Sequence, residues 1–281
     1  MTGFRKNMNR REKNEKLISA LLVLALLVSS ASIVFAEESA QLTSERVMER
    51  LAAGDDAAAD VFGQISNAAL RLAEMTAAVA SVKVDNQDDV DHLNRILDAV
   101  SEADAQNPDT DEKLSIGVIK TLEGLVIFEQ QVDEEGKHLD DVRQVIQNFT
   151  AIHQSTESVN AQTVNALYQS IQLTALLVAE HATSQEMLEQ VSGALTAFSA
   201  DDQATETVQD QLETGARWLC RMLTALAKLR DPDGSFLNEI NEMAAQTQAD
   251  VDAQEGQNQR LATWLIGCVK AMDVVAREMG N

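Results

Sequence analysis

Apolar residues recur along this chain with the spacing of one face of an α-helix. In the clearest segments they fall at a, a+3, a+6, a+7 and a+10, and the pattern returns every 49 residues. Four successive copies of this five-position pattern give twenty positions, of which nineteen are apolar and Thr247 is the exception. Such spacing predicts one amphipathic helix in each 49-residue unit. The four sets are Val90, Leu93, Ile96, Leu97, Val100; Leu139, Val142, Val145, Ile146, Phe149; Leu188, Val191, Ala194, Leu195, Phe198; and Leu237, Ile240, Met243, Ala244, Thr247.

The segments between these helices repeat at the same interval. We call the residues at corresponding places in successive units a column. Four largely apolar columns lie three or four residues apart, which predicts a second helix of about 23 residues, against about 16 for the first. The columns are Ala69, Val118, Leu167, Ala216, Leu265; Ala73, Leu122, Ile171, Cys220, Val269; Thr76, Leu125, Thr174, Leu223, Met272; and Val79, Phe128, Leu177, Leu226, Val275.

Two helices per unit, joined by short polar turns, predict an all-α tandem repeat of helical hairpins. One hairpin cannot bury both of its stripes, whereas stacked hairpins share a continuous core, so the expected fold is α-solenoid-like. No column carries the signature residues of a known helical-repeat family. The expected domain, 37–281, divides into five units: 37–85, 86–134, 135–183, 184–232 and 233–281.

Two features qualify this repeat. In the first unit Val47, Met48 and Leu51 keep the apolar register, but Gln41 and Ser44 fall on apolar columns, so this copy is expected to be frayed. A spectrin-like or coiled-coil bundle is the structural alternative. A heptad seam would then have to continue through the Gly- and Pro-bearing turns, which favours stacked hairpins.

The first 36 residues have the composition of an export signal. Six basic residues lead into an uncharged apolar run from Leu17 to Phe35. Cleavage is expected between Ala36 and Glu37, with Ala31 ending a second candidate site. An uncleaved anchor is the alternative, since about 18 apolar residues can just span a bilayer. The protein is therefore expected to be secreted or extracytoplasmic.

Acidic residues dominate the charge. The full chain has 22 Lys and Arg against 45 Asp and Glu, and its net charge is −23. Between Arg143 and Arg217 there is no Lys or Arg at all. Nucleic-acid binding needs clustered basic residues, so nucleic acid is not an expected partner.

The two cysteines, Cys220 and Cys268, cannot form a disulfide framework. They lie 48 residues apart in a 49-residue repeat, which predicts that they occupy the same turn of neighbouring helices. A thiol pair is therefore expected there. Helix axes about 8 to 10 Å apart leave open whether the sulfurs bond.

Residue types that carry catalysis do not gather in the sequence. The four histidines lie at unrelated columns and are expected on the surface; they are His92, His138, His153 and His181. Asp231 to Glu242 resembles an EF-hand count, but Phe236 stands where that loop needs glycine. Trp218 and Trp264 are expected to pack rather than bind sugars. The sequence predicts no metal, no cofactor and no enzyme activity.

One column changes sign along the repeat: Glu74, Glu123, Gln172, Arg221, Lys270. Further basic residues near the C-terminus extend a candidate partner-binding basic end, composed of Arg217, Arg221, Arg260, Lys270 and Arg277. The alternative is a solvated face whose charges pair locally. The leading hypothesis is an exported non-catalytic scaffold that binds a protein or peptide. The alternatives are a salt-sensitive, self-assembling envelope component and, less favoured, a carboxylate-based hydrolase.

Overall fold

A computed structural model describes residues 42–133, 135–231 and 233–280. Within them the chain forms ten α-helices and no strand, as the sequence predicts. We call the five longer ones, which have even numbers, the inner helices and the other five the outer helices. They are α1 Ser44–Ala57, α2 Val61–Ser81, α3 Gln87–Gln106, α4 Thr110–Val132, α5 Leu139–Ser155, α6 Val159–Glu180, α7 Gln185–Gln203, α8 Val208–Arg230, α9 Leu237–Asp252 and α10 Gln257–Glu278.

The inner helices begin at one column, and successive ones start 49 residues apart. The residue before each is Asp60, Asp109, Ser158, Thr207 or Gly256. In the first four, its side chain accepts a hydrogen bond from a backbone N–H of the first turn. Such caps satisfy donors that the helix itself cannot. The regular period of the repeat therefore coincides with a regular start signal.

The inner helices close into a ring. Each packs along the next in the order α2, α4, α6, α8, α10, and α10 packs along α2 as extensively as the others pack on their neighbours. Four of the outer helices lie over a gap between two inner helices, including α1, which contacts both α10 and α2. The repeat is therefore not an open stack, and the first and last units are neighbours.

The interior of this ring is packed throughout. In the column of Ala69 all five side chains are completely buried, and the columns of Leu72, Thr76 and Val79 are at most 1% exposed in every unit. Residues facing the axis are therefore enclosed on all sides. They include Phe128, Met272 and several leucines, with the threonines and serines among them bonded to their own helix.

Small residues let adjacent inner helices approach closely. A Cβ added to Gly117 of α4 would lie 2.4 Å from the backbone carbon of Ala69 on α2. In the same column, a Cβ added to Gly215 of α8 would lie 3.1 Å from the Leu167 side chain on α6. In the last unit that position is Trp264, so a large ring replaces a small residue between α8 and α10.

The outer helices bury less of their predicted stripe than expected. Val90, Leu188 and Leu237, which begin the stripe in three units, are exposed. Leu195 is only half-buried, whereas Ile146 in its column is 4% exposed. The prediction of a uniformly buried stripe is wrong at these positions, because an outer helix touches the ring along only part of its length.

The predicted leader, with its cleavage site at Ala36 and Glu37, lies outside the described residues. Among the helices that are described, none combines the length and apolar character needed to cross a bilayer.

Candidate functional site

We call the gap between two neighbouring outer helices a seam. The seam between α1 and α3 is filled by four charged residues. Arg50 of α1 pairs with Glu74 of α2 and with Asp104 of α3, with 2.9 Å between Arg50 Nη2 and Asp104 Oδ2. Arg71 bonds the same two carboxylates. Burial raises the pKa of Glu74, and the two arginines oppose that shift.

The second seam repeats this arrangement with different residues. Lys120 Nζ lies 3.0 Å from both oxygens of Glu123, and His92 Nε2 lies 3.2 Å from Oε2. All three side chains are buried. Burial alone would raise the pKa of Glu123, but Lys120 and His92 together hold it below its usual value. The prediction that His92 lies on the surface is therefore wrong.

The members of the column whose charge changes sign therefore differ in burial and in their ion-pair partners. Glu74 and Glu123 are buried in ion pairs, while Gln172 and Arg221 are exposed. Lys270 is half-buried beside Asp55 of α1; burial raises the pKa of Asp55 and Lys270 opposes that. Because α10 packs along α2, this column does not run from one open end of a stack to the other.

The predicted basic residues do not converge. Arg217 Nη2 lies 2.8 Å from Asp201, and Arg260 Nε lies 2.7 Å from Glu213. Arg277 pairs with Glu239 and Asp273, at the far end of the same helix as Arg260. Arg221 stacks on the Trp218 ring at 5.0 Å and makes no ion pair with any described residue. The cluster is therefore a set of local contacts on two helices.

Outer helix α7 is attached through its C-terminal half. Phe198, its one buried side chain, packs edge-on against Tyr168 with ring centroids 4.9 Å apart and lies beside Trp218. Asp201 accepts hydrogen bonds from Arg217 and from Trp218 Nε1, both at 2.8 Å. Asp202 accepts one from the Tyr168 hydroxyl. These anchors all lie in the last six residues of the helix.

The N-terminal half of α7 has no comparable anchor. Leu188 is 40% exposed, and Met187, Val191 and Leu195 are only half-buried. We call these four residues the α7 patch. Val208, at the start of the next helix, is also exposed. The sequence pattern assigned this stripe to the core, so reasoning from the sequence missed the patch. The sequence carries no signal for it, because Val191 and Leu195 still pack partly against the core and only the tertiary structure decides how far they are covered.

The two cysteines are brought together, with both thiols free and buried. A Cβ on Gly267 would lie 2.8 Å from Cys220 Sγ, so this sulfur rests against the residue before Cys268. Cys268 Sγ lies 3.8 Å from the carbonyl oxygen of Ala216, one turn before Cys220. Burial, together with the neighbouring Cys220 thiol, raises the pKa of Cys268.

A cavity of about 210 Å³ opens beside Cys220. Its wall comes from α8, α9 and α10 and includes Arg221, Thr247 and Trp264. Trp264 stands in a column that is otherwise Ala or Gly, and here it forms part of the cavity wall. The indole is 4% exposed, so the prediction that it packs is consistent with its position.

The remaining histidines take part in local contacts. His181 Nδ1 donates to the Leu177 carbonyl at 2.8 Å, and Arg230 donates to Nε2 at 2.8 Å. Burial and the Arg230 charge lower the pKa of His181, which favours its neutral form. His153 stacks on Phe149. Among the described residues no group of three His, Cys, Asp or Glu is placed to hold a metal ion.

The EF-hand-like segment is a turn between helices. Asp231 Oδ2 accepts from the Phe236 N–H at 3.0 Å, and Gly234 has a positive φ of 73°. The turn at 133–138 has the same design, with Asp133 accepting from Lys137 and His138 N–H. In each of these two turns the Asp carboxylate therefore accepts hydrogen bonds from backbone N–H groups.

Glu129 of α4 is a buried carboxylate that the sequence analysis did not single out. It is 1% exposed, and neither carboxylate oxygen has a hydrogen-bond partner in the described structure. Burial raises its pKa to about 8, with Asp133, Glu180 and Asp141 adding to the shift. The column itself was a signal, since its other members are Ala80, Val178, Ala227 and Ala276, all apolar.

These features define the class of protein: a closed ring of five helical hairpins, with a filled axis and an incomplete outer layer. No family model, curated protein or solved structure matches this chain.

Proposed function

We propose that this protein is an exported, non-catalytic scaffold that binds another protein through the α7 patch. The apolar run after a basic N-terminus supports export. Helical-repeat proteins commonly present extended surfaces for recognition, and this analogy supports binding as the activity. The patch supplies a specific place for it.

The observation that carries the proposal is the contrast between the two halves of α7. Its last turns are held by aromatic contacts and by Asp201 and Asp202. In its first half Leu188 is exposed, and Val191 and Leu195 are only partly buried. Contiguous apolar surface on a soluble protein is typical of interaction sites. A partner that covers these side chains would recover hydrophobic free energy without rearranging the ring.

The charge around the patch indicates the chemistry of the partner. Residues 144–216 contain nine Asp and Glu and no Lys or Arg, and Glu186 and Glu189 flank Leu188 on α7. A surface with apolar residues surrounded by carboxylates complements a basic amphipathic helix. We therefore assign the partner as a protein that presents such a helix.

The proposal can be tested with a fluorescent basic amphipathic peptide of Leu and Lys and with the folded chain from residue 37. Fluorescence anisotropy should detect binding that weakens as salt rises, because exposed charges are screened. A matched peptide of Leu and Glu should not bind. Equal binding of both peptides, or of neither, would exclude the assigned partner.

A matched pair of variants locates the site. Leu188→Gln should weaken binding at least severalfold, because it removes the most exposed apolar anchor of the patch. Leu237→Gln is the control, since Leu237 lies in the same column and is 43% exposed, against 40% for Leu188. Equal losses from both variants would mean that the peptide does not recognise α7.

The alternative of a self-assembling envelope component depended on complementary charges at the two ends of an open stack. Because α10 packs along α2, neither terminal unit has an open repeat face. No contact in the ring favours end-to-end assembly, so we do not propose it as the function.

A further inference from the structure

We propose that Cys220 and Cys268 form an oxidation site, in which a small hydroperoxide reaches Cys220 through the adjacent cavity and Cys268 then completes an intramolecular disulfide. This site links α8 to α10 and lies apart from the α7 patch. It does not depend on the proposed partner.

The placement of the two sulfurs supports the disulfide. Cys220 Sγ packs against Gly267, so it lies beside the backbone that carries Cys268. Cys268 Sγ in turn reaches the Ala216 carbonyl on the helix of Cys220. Each thiol therefore rests on the other residue's helix. Glycine at 267 is required for this approach, because any side chain there would collide with Cys220 Sγ and with Thr247.

The cavity distinguishes the two thiols. Cys220 lines it, together with the exposed Arg221, so a small molecule can reach this sulfur from solvent. About 210 Å³ accommodates several water-sized molecules, each occupying roughly 30 Å³ in the liquid. Arg221 also interacts electrostatically with Cys220. Cys268 is fully buried and does not line the cavity.

The chemistry takes place in two balanced steps. The Cys220 thiolate attacks the distal oxygen of the hydroperoxide, the O–O bond breaks, and the products are a sulfenic acid and an alcohol or water. The Cys268 sulfur then attacks the Cys220 sulfur, the S–O bond breaks, and water leaves. Two thiols together lose two protons and two electrons, which reduce the peroxide.

The test is to treat the reduced, folded chain with one equivalent of hydrogen peroxide and to measure the intact mass and the linked peptides. We expect a loss of two hydrogen atoms and a Cys220–Cys268 link. The thermal midpoint should rise, because the link restrains the unfolded chain. Oxidation of a single cysteine without a link, or no reaction, would overturn the proposal.

Single variants separate the two roles. In Cys268→Ser, peroxide should leave a Cys220 sulfenic acid that dimedone traps. In Cys220→Ser, the Cys268 thiol should remain reduced. The helix content measured by circular dichroism should be unchanged in both variants. If Cys268 in the Cys220→Ser variant is oxidised as fast as the cysteines of the parent protein, the peroxide does not enter through the cavity.

Discussion

At the scale of residues, two glutamates on one helix have opposite electrostatic surroundings. Glu123 and Glu129 are both buried on α4. Lys120 and His92 hold the pKa of Glu123 below its usual value, whereas burial raises the pKa of Glu129 to about 8, with three nearby carboxylates adding to the shift. Six residues along one helix separate a carboxylate held as an anion by its cationic neighbours from a carboxylic acid that the fold keeps protonated below that pH. Neighbours, and not the residue type, decide the difference.

Glu129 should make the protein less stable as pH rises from about 4.5 to about 8. The folded state holds the proton more tightly than the unfolded chain in this window, so the free energy of unfolding falls by up to about 1.4 kcal/mol per pH unit. Glu129→Gln should remove this slope in urea unfolding measured between pH 5 and 9. The exposed Glu157→Gln is the control and should retain it. Identical pH profiles for Glu129→Gln and the parent would contradict the assignment.

At the scale of elements, the outer helices are not equivalent although their sequences repeat. Val142, Val145, Ile146 and Phe149 of α5 are all buried, while α7 buries Phe198 alone. The difference arises from neighbours, since α7 is held mainly at its C-terminal end by Tyr168, Trp218 and Arg217. A loosely packed helix opens at lower free energy than its tightly packed counterparts. The helix that carries the α7 patch thus buries fewer side chains than any other outer helix.

Matched substitutions in one column should measure this difference. Ile146→Ala on α5 should lower the free energy of unfolding by about 2 to 5 kcal/mol, because the side chain is buried. Leu195→Ala on α7 removes the same number of carbon atoms from a half-buried site and should cost less than about half as much. Chemical denaturation of both variants provides the comparison. Equal costs would mean that α7 is packed as tightly as α5.

At the scale of the whole molecule, ring closure places the end of α10 beside the start of α1. Within the ring, each inner helix is followed by an outer helix after four to six residues. Joining residue 281 to residue 42 would leave five residues between Glu278 and Ser44, which matches these connections. Closure of this kind gives every inner helix two neighbours, so no unit needs a capping repeat.

A circular permutant should therefore fold. With residues 281 and 42 joined and new termini placed between Ala182 and Thr183, helix content by circular dichroism should match that of the chain 42–281. The thermal midpoint should fall by only a few degrees. The same cut without the join is the control and should lower it further, since its two pieces are not linked. Equal behaviour of the two forms would indicate that α10 and α2 are not packed together.

Local patterns in the sequence were sufficient to predict the helices, their 49-residue period and the approach of the two cysteines. Helix formation depends on near neighbours, and a strict period places equivalent residues at equivalent heights. Ring closure, the buried ion pairs of Glu74 and Glu123, the isolation of Glu129 and the uncovered α7 patch were decided by tertiary structure alone. Small rotations between successive hairpins add up over five units, and only their sum determines whether the last helix meets the first and which side chains remain exposed.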